Sequence, residues 1–189
     1  MKGSVTVLAL LIGCTFLQAQ QLRVPYDASS VMINGKVENN EWDHALKLVV
    51  NDSTNLYIKQ DQENIYWCLH TRGLRPELMM VDFYFLQEEE KLNLHASAKL
   101  GERRWANGSY GEWIWWNNAG WQANVARMED NPRGKFLYDD AKEFQLRKER
   151  FVARSFRLMF DVSYPENMIM NFPVGSNEEN TEGWLQFAL

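Results

Sequence analysis

The sequence predicts an all-β fold: an antiparallel β-sandwich of immunoglobulin-like or jelly-roll-like two-sheet architecture, with one short helical turn. Three observations predict it. Hydrophobic alternation with period two recurs along the chain, turn-forming residues separate the alternating runs at short intervals, and helical periodicity is confined to one brief segment.

The alternation is clearest over residues 92–100. Leu92, Leu94, Ala96, Ala98 and Leu100 interleave there with Asn93, His95, Ser97 and Lys99, the pattern of a half-buried strand. Residues 156–164 repeat it, with Phe156, Leu158, Phe160, Val162 and Tyr164 on one face and Arg157, Met159, Asp161 and Ser163 on the other. Weaker strands are expected over 56–60, 65–71, 79–86, 112–117, 121–127, 143–151 and 184–189. Turn chemistry lies between them in Asp61-Gln62-Glu63-Asn64, Arg72-Gly73, Asn107-Gly108-Ser109, Asn117-Asn118-Ala119-Gly120 and Asn131-Pro132-Arg133-Gly134. The helical segment is residues 41–46, where Asn39 or Asn40 can cap free N–H groups and Trp42 and Ala45 share a face.

The N-terminus reads as an export signal. Lys2 precedes an apolar run over residues 5–12, and Leu17-Gln18-Ala19 ends the segment with a small-residue cleavage pattern. That run is much shorter than the ~20 residues a membrane-spanning helix needs. Cleavage after Ala19 makes residues 1–19 a signal peptide and leaves 20–189 as one domain, so the chain is expected to be secreted, periplasmic or at the cell surface. Leu11-Ile12-Gly13-Cys14 offers a second reading, a lipobox that would tether the chain through Cys14.

The formal charge is −5, and losing Lys2 with the leader makes it −6, which offers nothing to nucleic acid or an anionic membrane. Cys68 is then the sole cysteine, so no intramolecular disulfide can form and stability rests on packing.

Motifs of catalysis are missing. The chain has no G-x-S-x-G elbow, no H-E-x-x-H pair and no glycine-rich phosphate loop. His44, His70 and His95 are too scattered to make a local metal motif, although His95 lies mid-strand beside Asn93 and Ser97. Asp82, Glu112 and Asp161 are the carboxylates that a glycosidase reading would use. Asp130, Asp139 and Asp140 would be the oxygen ligands of a structural calcium, without a motif behind them. No cofactor is otherwise expected, and the balance favours a non-catalytic role.

Five of the eight tryptophans fall between positions 105 and 121: Trp105, Trp113, Trp115, Trp116 and Trp121. Some of them can fill the space between two sheets. The others can form a platform, because an indole stacks on the apolar face of a sugar ring while amides and charges bond its hydroxyls. Glu112, Asn117, Asn118, Gln122, Asn124 and Arg127 supply such neighbours. The candidate saccharide-binding residues are therefore Trp113, Trp115, Trp121, Asn117, Asn93, His95 and Arg127.

The run Val31-Met32-Ile33-Asn34-Gly35-Lys36-Val37-Glu38, followed by Glu41-Trp42 and Ala45, resembles the opening of family 9 carbohydrate-binding modules and their DOMON-like relatives. Lys59-Gln60-Asp61-Gln62-Glu63-Asn64-Ile65-Tyr66, Val81-Asp82-Phe83-Tyr84-Phe85 and Trp184-Leu185-Gln186-Phe187 resemble later strands of that family. The resemblance implies a β-sandwich opened by a strand, a turn at Gly35, and Trp42 plugging the end of the sandwich. It also implies saccharide binding between aromatic side chains with calcium in a structural role, while residues 92–127 depart from the family in spacing. The leading expectation is a non-catalytic saccharide-binding module. The alternatives are a scaffold domain docking an envelope protein, a DOMON-like haem domain using His95 or His70 with Met79 or Met80, and a glycoside hydrolase.

Overall fold

Strands that alternate apolar and polar residues must bury one face against a second layer. The computed structural model, which describes residues 21–38, 40–115, 120–125, 138–164 and 167–189, shows how the two layers are made. In chain order the strands are β1 (Leu22–Arg23), β2 (Leu46–Asn51), β3 (Thr54–Gln60), β4 (Asn64–Thr71), β5 (Met80–Gln87), β6 (Glu90–Ala96) and β7 (Leu100–Ala106), then β8 (Ser109–Tyr110), β9 (Ile114–Trp115), β10 (Trp121–Ala123), β11 (Ala141–Arg147), β12 (Ser155–Ser163), β13 (Met168–Phe172) and β14 (Leu185–Ala188). The larger sheet runs β1-β14-β12-β5-β6-β7-β8, with β13 also on β12 and β9 also on β7, and the smaller runs β10-β11-β4-β3-β2. Among the described residues the strands pair antiparallel except β1 with β14, and an isolated bridge between Tyr26 and Gln60 is also parallel.

The core lies between the sheets. Leu56, Ile58, Ile65, Trp67, Leu69, Phe144 and Leu146 from the smaller sheet meet Val81, Phe83, Phe85, Leu92, Leu94, Phe156, Leu158 and Phe160 from the larger. Phe83 meets Phe144 edge-on across the layers at 4.6 Å, and Trp67 packs edge-on against Phe85 at 5.4 Å. Edge-to-face contacts of this kind suit the ring quadrupole.

Three expectations change in detail. Residues 92–100 are not one strand, because a hairpin at Ser97-Ala98-Lys99 divides β6 from β7. A three-residue loop keeps the parity of the alternation, since Ala96 and Leu100 pair directly across it, both buried. Residues 40–45 make successive i to i+3 turns, with Asp43 N–H donating to Asn40 O and Ala45 N–H to Trp42 O, and β2 begins at Leu46. Residues 31–38 form a loop and not a strand. Trp42 is buried, but against Val31, Tyr66, Cys68 and Ala141 on the outer face of the smaller sheet. The loop therefore covers β4 from outside, which explains why β4 is buried on both faces.

Candidate functional site

The outer face of the larger sheet carries the polar half of the alternation. Register places Asp161, Asp82, His95, Gly101 and Trp115 in one row across β12, β5, β6, β7 and β9. Met159, Tyr84, Asn93 and Arg103 form the next row. Directly opposed residues on neighbouring strands project to the same side, so each row is a line of side chains in contact range.

At the β9 end Trp113 and Trp115 stack on each other with centroids 5.2 Å apart and planes 20° from parallel. They stand on Gly101, where an added Cβ would come within 2.6 Å of Trp115 Cε3 and 3.2 Å of Trp113 Cε3. The absence of a side chain at Gly101 is what admits them. The His95 ring meets both edge-on, at 5.8 Å from Trp113 and 5.7 Å from Trp115.

Cations close the outer sides of this pair. The Arg103 guanidinium lies 4.6 Å from the Trp113 centroid and 4.0 Å from that of Tyr110. Lys99 Nζ lies 3.8 Å from the Trp115 centroid. Arg103 is held in place, since its Nε donates to Asn93 Oδ1 at 2.8 Å and its Nη2 pairs with Glu178 at 3.7 Å. Lys99 is exposed and its long stem is free to swing. The Lys99-capped face of Trp115, a residue 40% exposed, is thus the aromatic surface that a ligand can occupy at the smallest cost.

Hydrogen bonds order the polar floor. His95 Nδ1 lies 3.1 and 3.2 Å from the two Asp82 carboxylate oxygens, and His95 Nε2 lies 3.0 Å from Ser97 Oγ. Asn93 is fully buried, with Nδ2 donating to Phe83 O. Asp161 faces Asp82 in register, and burial followed by the Asp82 and Glu178 charges pushes its carboxyl up to about 6. Tyr110, raised to about 12 mainly by burial, has a buried hydroxyl without a hydrogen-bond partner among the described residues.

Of the residues expected from sequence, Trp113, Trp115, His95 and Asn93 come together on this face. Asn117 and Arg127 lie outside the described residues, as do Trp116, Asn118 and Asp130. Trp121 is only 4% exposed and sits in the core between the sheets, its Nε1–H donating to Glu102 Oε2 at 3.0 Å. Asn124 is buried as well, donating to Asp139 Oδ2 and Ala141 O. Trp121 opens β10, which pairs with β11 of the other sheet, and this pairing turns its indole inward. Two of the three glycosidase carboxylates, Asp82 and Asp161, are neighbours, whereas Glu112 is exposed just before Trp113. Among the described residues no group of three or more His, Cys, Asp and Glu side chains is arranged to hold a metal. For the haem reading, Met79 is in the core, and both His95 ring nitrogens are engaged by Asp82 and Ser97.

Lys99, Gly101, Arg103 and Tyr110 belong to the site without having been foreseen. Period two over residues 101, 103 and 105 was their signal. It was hidden because Ser97-Ala98-Lys99 carries no glycine, asparagine or proline to mark the hairpin. One surface depression, lined by Asp27, Ser29, Met32, Asn34, Glu41 and His44, lies away from this face. The candidate site lies on the outer face of the larger sheet.

No family model matches the chain, and no curated protein does. Among solved structures, the crystal structure of a "putative carbohydrate-binding protein" from Bacteroides uniformis superposes with a TM-score of 0.55 at 10% identity, covering 90% of this chain and 99% of that one. At that identity the likeness concerns the fold, an all-β sandwich.

Proposed function

We propose that the chain binds saccharide on the outer face of its larger sheet, with Trp115 as the stacking surface. The observation that carries this reading is the Trp113–Trp115 pair standing on Gly101, part-exposed and bordered by His95 and Lys99. An indole in water gains most by covering an apolar ring face, and the polar groups beside it can bond hydroxyls. The carbohydrate-binding description of the fold neighbour supports the same reading. A role outside the cytoplasm belongs to this proposal, with residues 1–19 as the export signal; mass spectrometry of the mature N-terminus separates cleavage after Ala19 from a lipid on Cys14.

The test is a glycan array followed by calorimetry on residues 20–189. Binding is expected to weaken at least about 10-fold in Trp115→Ala, the loss of a stacking contact worth ~1.5 kcal/mol. Failure to bind any glycan, or unchanged affinity in folded Trp113→Ala and Trp115→Ala variants, overturns the reading.

A further inference from the structure

Beyond binding, we propose that Ser97, His95 and Asp82 form the nucleophile, general base and positioning acid of an acyl hydrolase that removes O-acyl groups from saccharides. The part concerning the saccharide rests on the proposed function. The three side chains are in line: Ser97 Oγ is 3.0 Å from His95 Nε2, and His95 Nδ1 is 3.1 Å from Asp82 Oδ1. Each partner takes the ring nitrogen that its role requires. A proton on Nδ1 directed at Asp82 leaves the Nε2 lone pair to accept from the Ser97 hydroxyl. Local structure builds this line. Asp82 pairs with His95 across β5 and β6, and Ser97 follows two residues later on the same side, at the start of the hairpin.

Ser97 is part-exposed, so a substrate can reach its hydroxyl. The hydroxyl also lies 3.3 Å from Lys99 O and 3.4 Å from Lys99 N, both longer than its contact with His95. The Ala98 N–H, immediately after the nucleophile, donates to no described residue and is free to meet a developing oxyanion. Recognition of such a triad depends on geometry and roles, so the missing G-x-S-x-G elbow does not bear on it.

Chemistry follows from these positions. Ser97 Oγ adds to the acyl carbonyl carbon as its proton passes to His95 Nε2. The tetrahedral adduct then expels the sugar oxygen, which takes that proton from His95, leaving an acyl-Ser97 ester. Water adds to this ester, giving a proton to His95, and Ser97 leaves as the alkoxide and recovers the proton. The products are free saccharide and carboxylic acid, and no other reactant is consumed. A sugar on the Lys99-capped face of Trp115 lies beside the hairpin that carries Ser97, which selects an esterified sugar as substrate.

The purified chain is incubated with a fluorophosphonate probe, and acetate release is measured from acetylated xylan oligosaccharides. Expected results are labelling of Ser97 by mass spectrometry and acetate release that Ser97→Ala abolishes. Asp82→Asn is expected to lower kcat about 100-fold with KM unchanged, a split that a merely structural Asp82 would not produce. Ser97 is a hairpin residue outside the core, so Ser97→Ala folds, which circular dichroism verifies, and it remains decisive if a His95 variant does not. Absence of labelling, or acetate release equal to that of Ser97→Ala, overturns the proposal. Should Ser97→Ala and the parent chain then bind the same glycans through Trp115, the hydrolase falls and the binding reading stands.

Discussion

At the level of single residues, the most strained balance of forces is at Glu143 on the covered outer face of β11. Its carboxylate accepts from the Asn34 and Gly35 N–H groups at 3.0 and 2.9 Å and from Trp42 Nε1 at 3.3 Å. Three donors favour the anion, yet burial outweighs them and lifts the carboxyl to about 7. A folded-state value above the unfolded 4.5 means that the native state holds the proton more tightly. Stability from this group is therefore complete below pH 4.5 and is lost as pH rises through 7. Denaturant titrations between pH 5 and 7 should show the parent chain losing on the order of 2 kcal/mol more stability than Glu143→Gln, a difference that cancels the parallel slope from Asp161, whose carboxyl is raised to about 6. Lys142, depressed by burial to about 8, titrates above this window and does not confuse the measurement. Gly35 anchors the same corner at φ +80°, where a Cβ would lie 2.5 Å from Asp139 Cγ. Gly101 is the comparable position at the candidate site. Gly101→Ala should push Trp115 and Trp113 off the sheet, altering the near-ultraviolet circular dichroism and abolishing saccharide binding, with a stability loss of about 1–3 kcal/mol.

Among the elements, β10 and β9 show how similar sequences take opposite roles. Trp121 on β10 packs into the core and donates to Glu102, which also pairs with Arg150 at 3.0 Å. Trp115 on β9 pairs with Gly101 at the edge of the larger sheet and stays exposed to solvent. Thermal and urea unfolding should separate them. Trp121→Ala should cost about 3–5 kcal/mol, and Trp121→Phe about 1–3 because Glu102 loses a donor. Trp115→Ala should cost under about 1.5 kcal/mol while removing ligand affinity. The hairpin between β6 and β7 matters equally, because a loop of two or four residues would shift the parity of β7 and turn Gly101 and Arg103 inward.

Over the whole molecule, packing replaces covalent staples. Cys68 is free and fully buried on β4, and burial raises its thiol well above the ordinary range. A thiol reagent should therefore leave the native chain unmodified and react at the rate of global unfolding, and reductant should not move the melting temperature. Rapid native-state modification would mean that the loop over β4 opens independently of the core.

Local periodicity alone determined that the chain is a two-layer β protein. It also placed the inward faces of β5 and β12, because period two is a property of each strand by itself. The density of tryptophan and the polar company of His95 were equally visible. Tertiary pairing decided which indoles reach solvent, since an aromatic strand residue can face either layer until its partner strand is known. It set Trp121 inward through β11, set Trp115 on Gly101, and brought Asp161 opposite Asp82 from a distant part of the chain. The alignment of Asp82, His95 and Ser97 likewise depended on the β5–β6 register, a non-local choice made by the burial of Phe83, Phe85, Leu92 and Leu94 in one shared core.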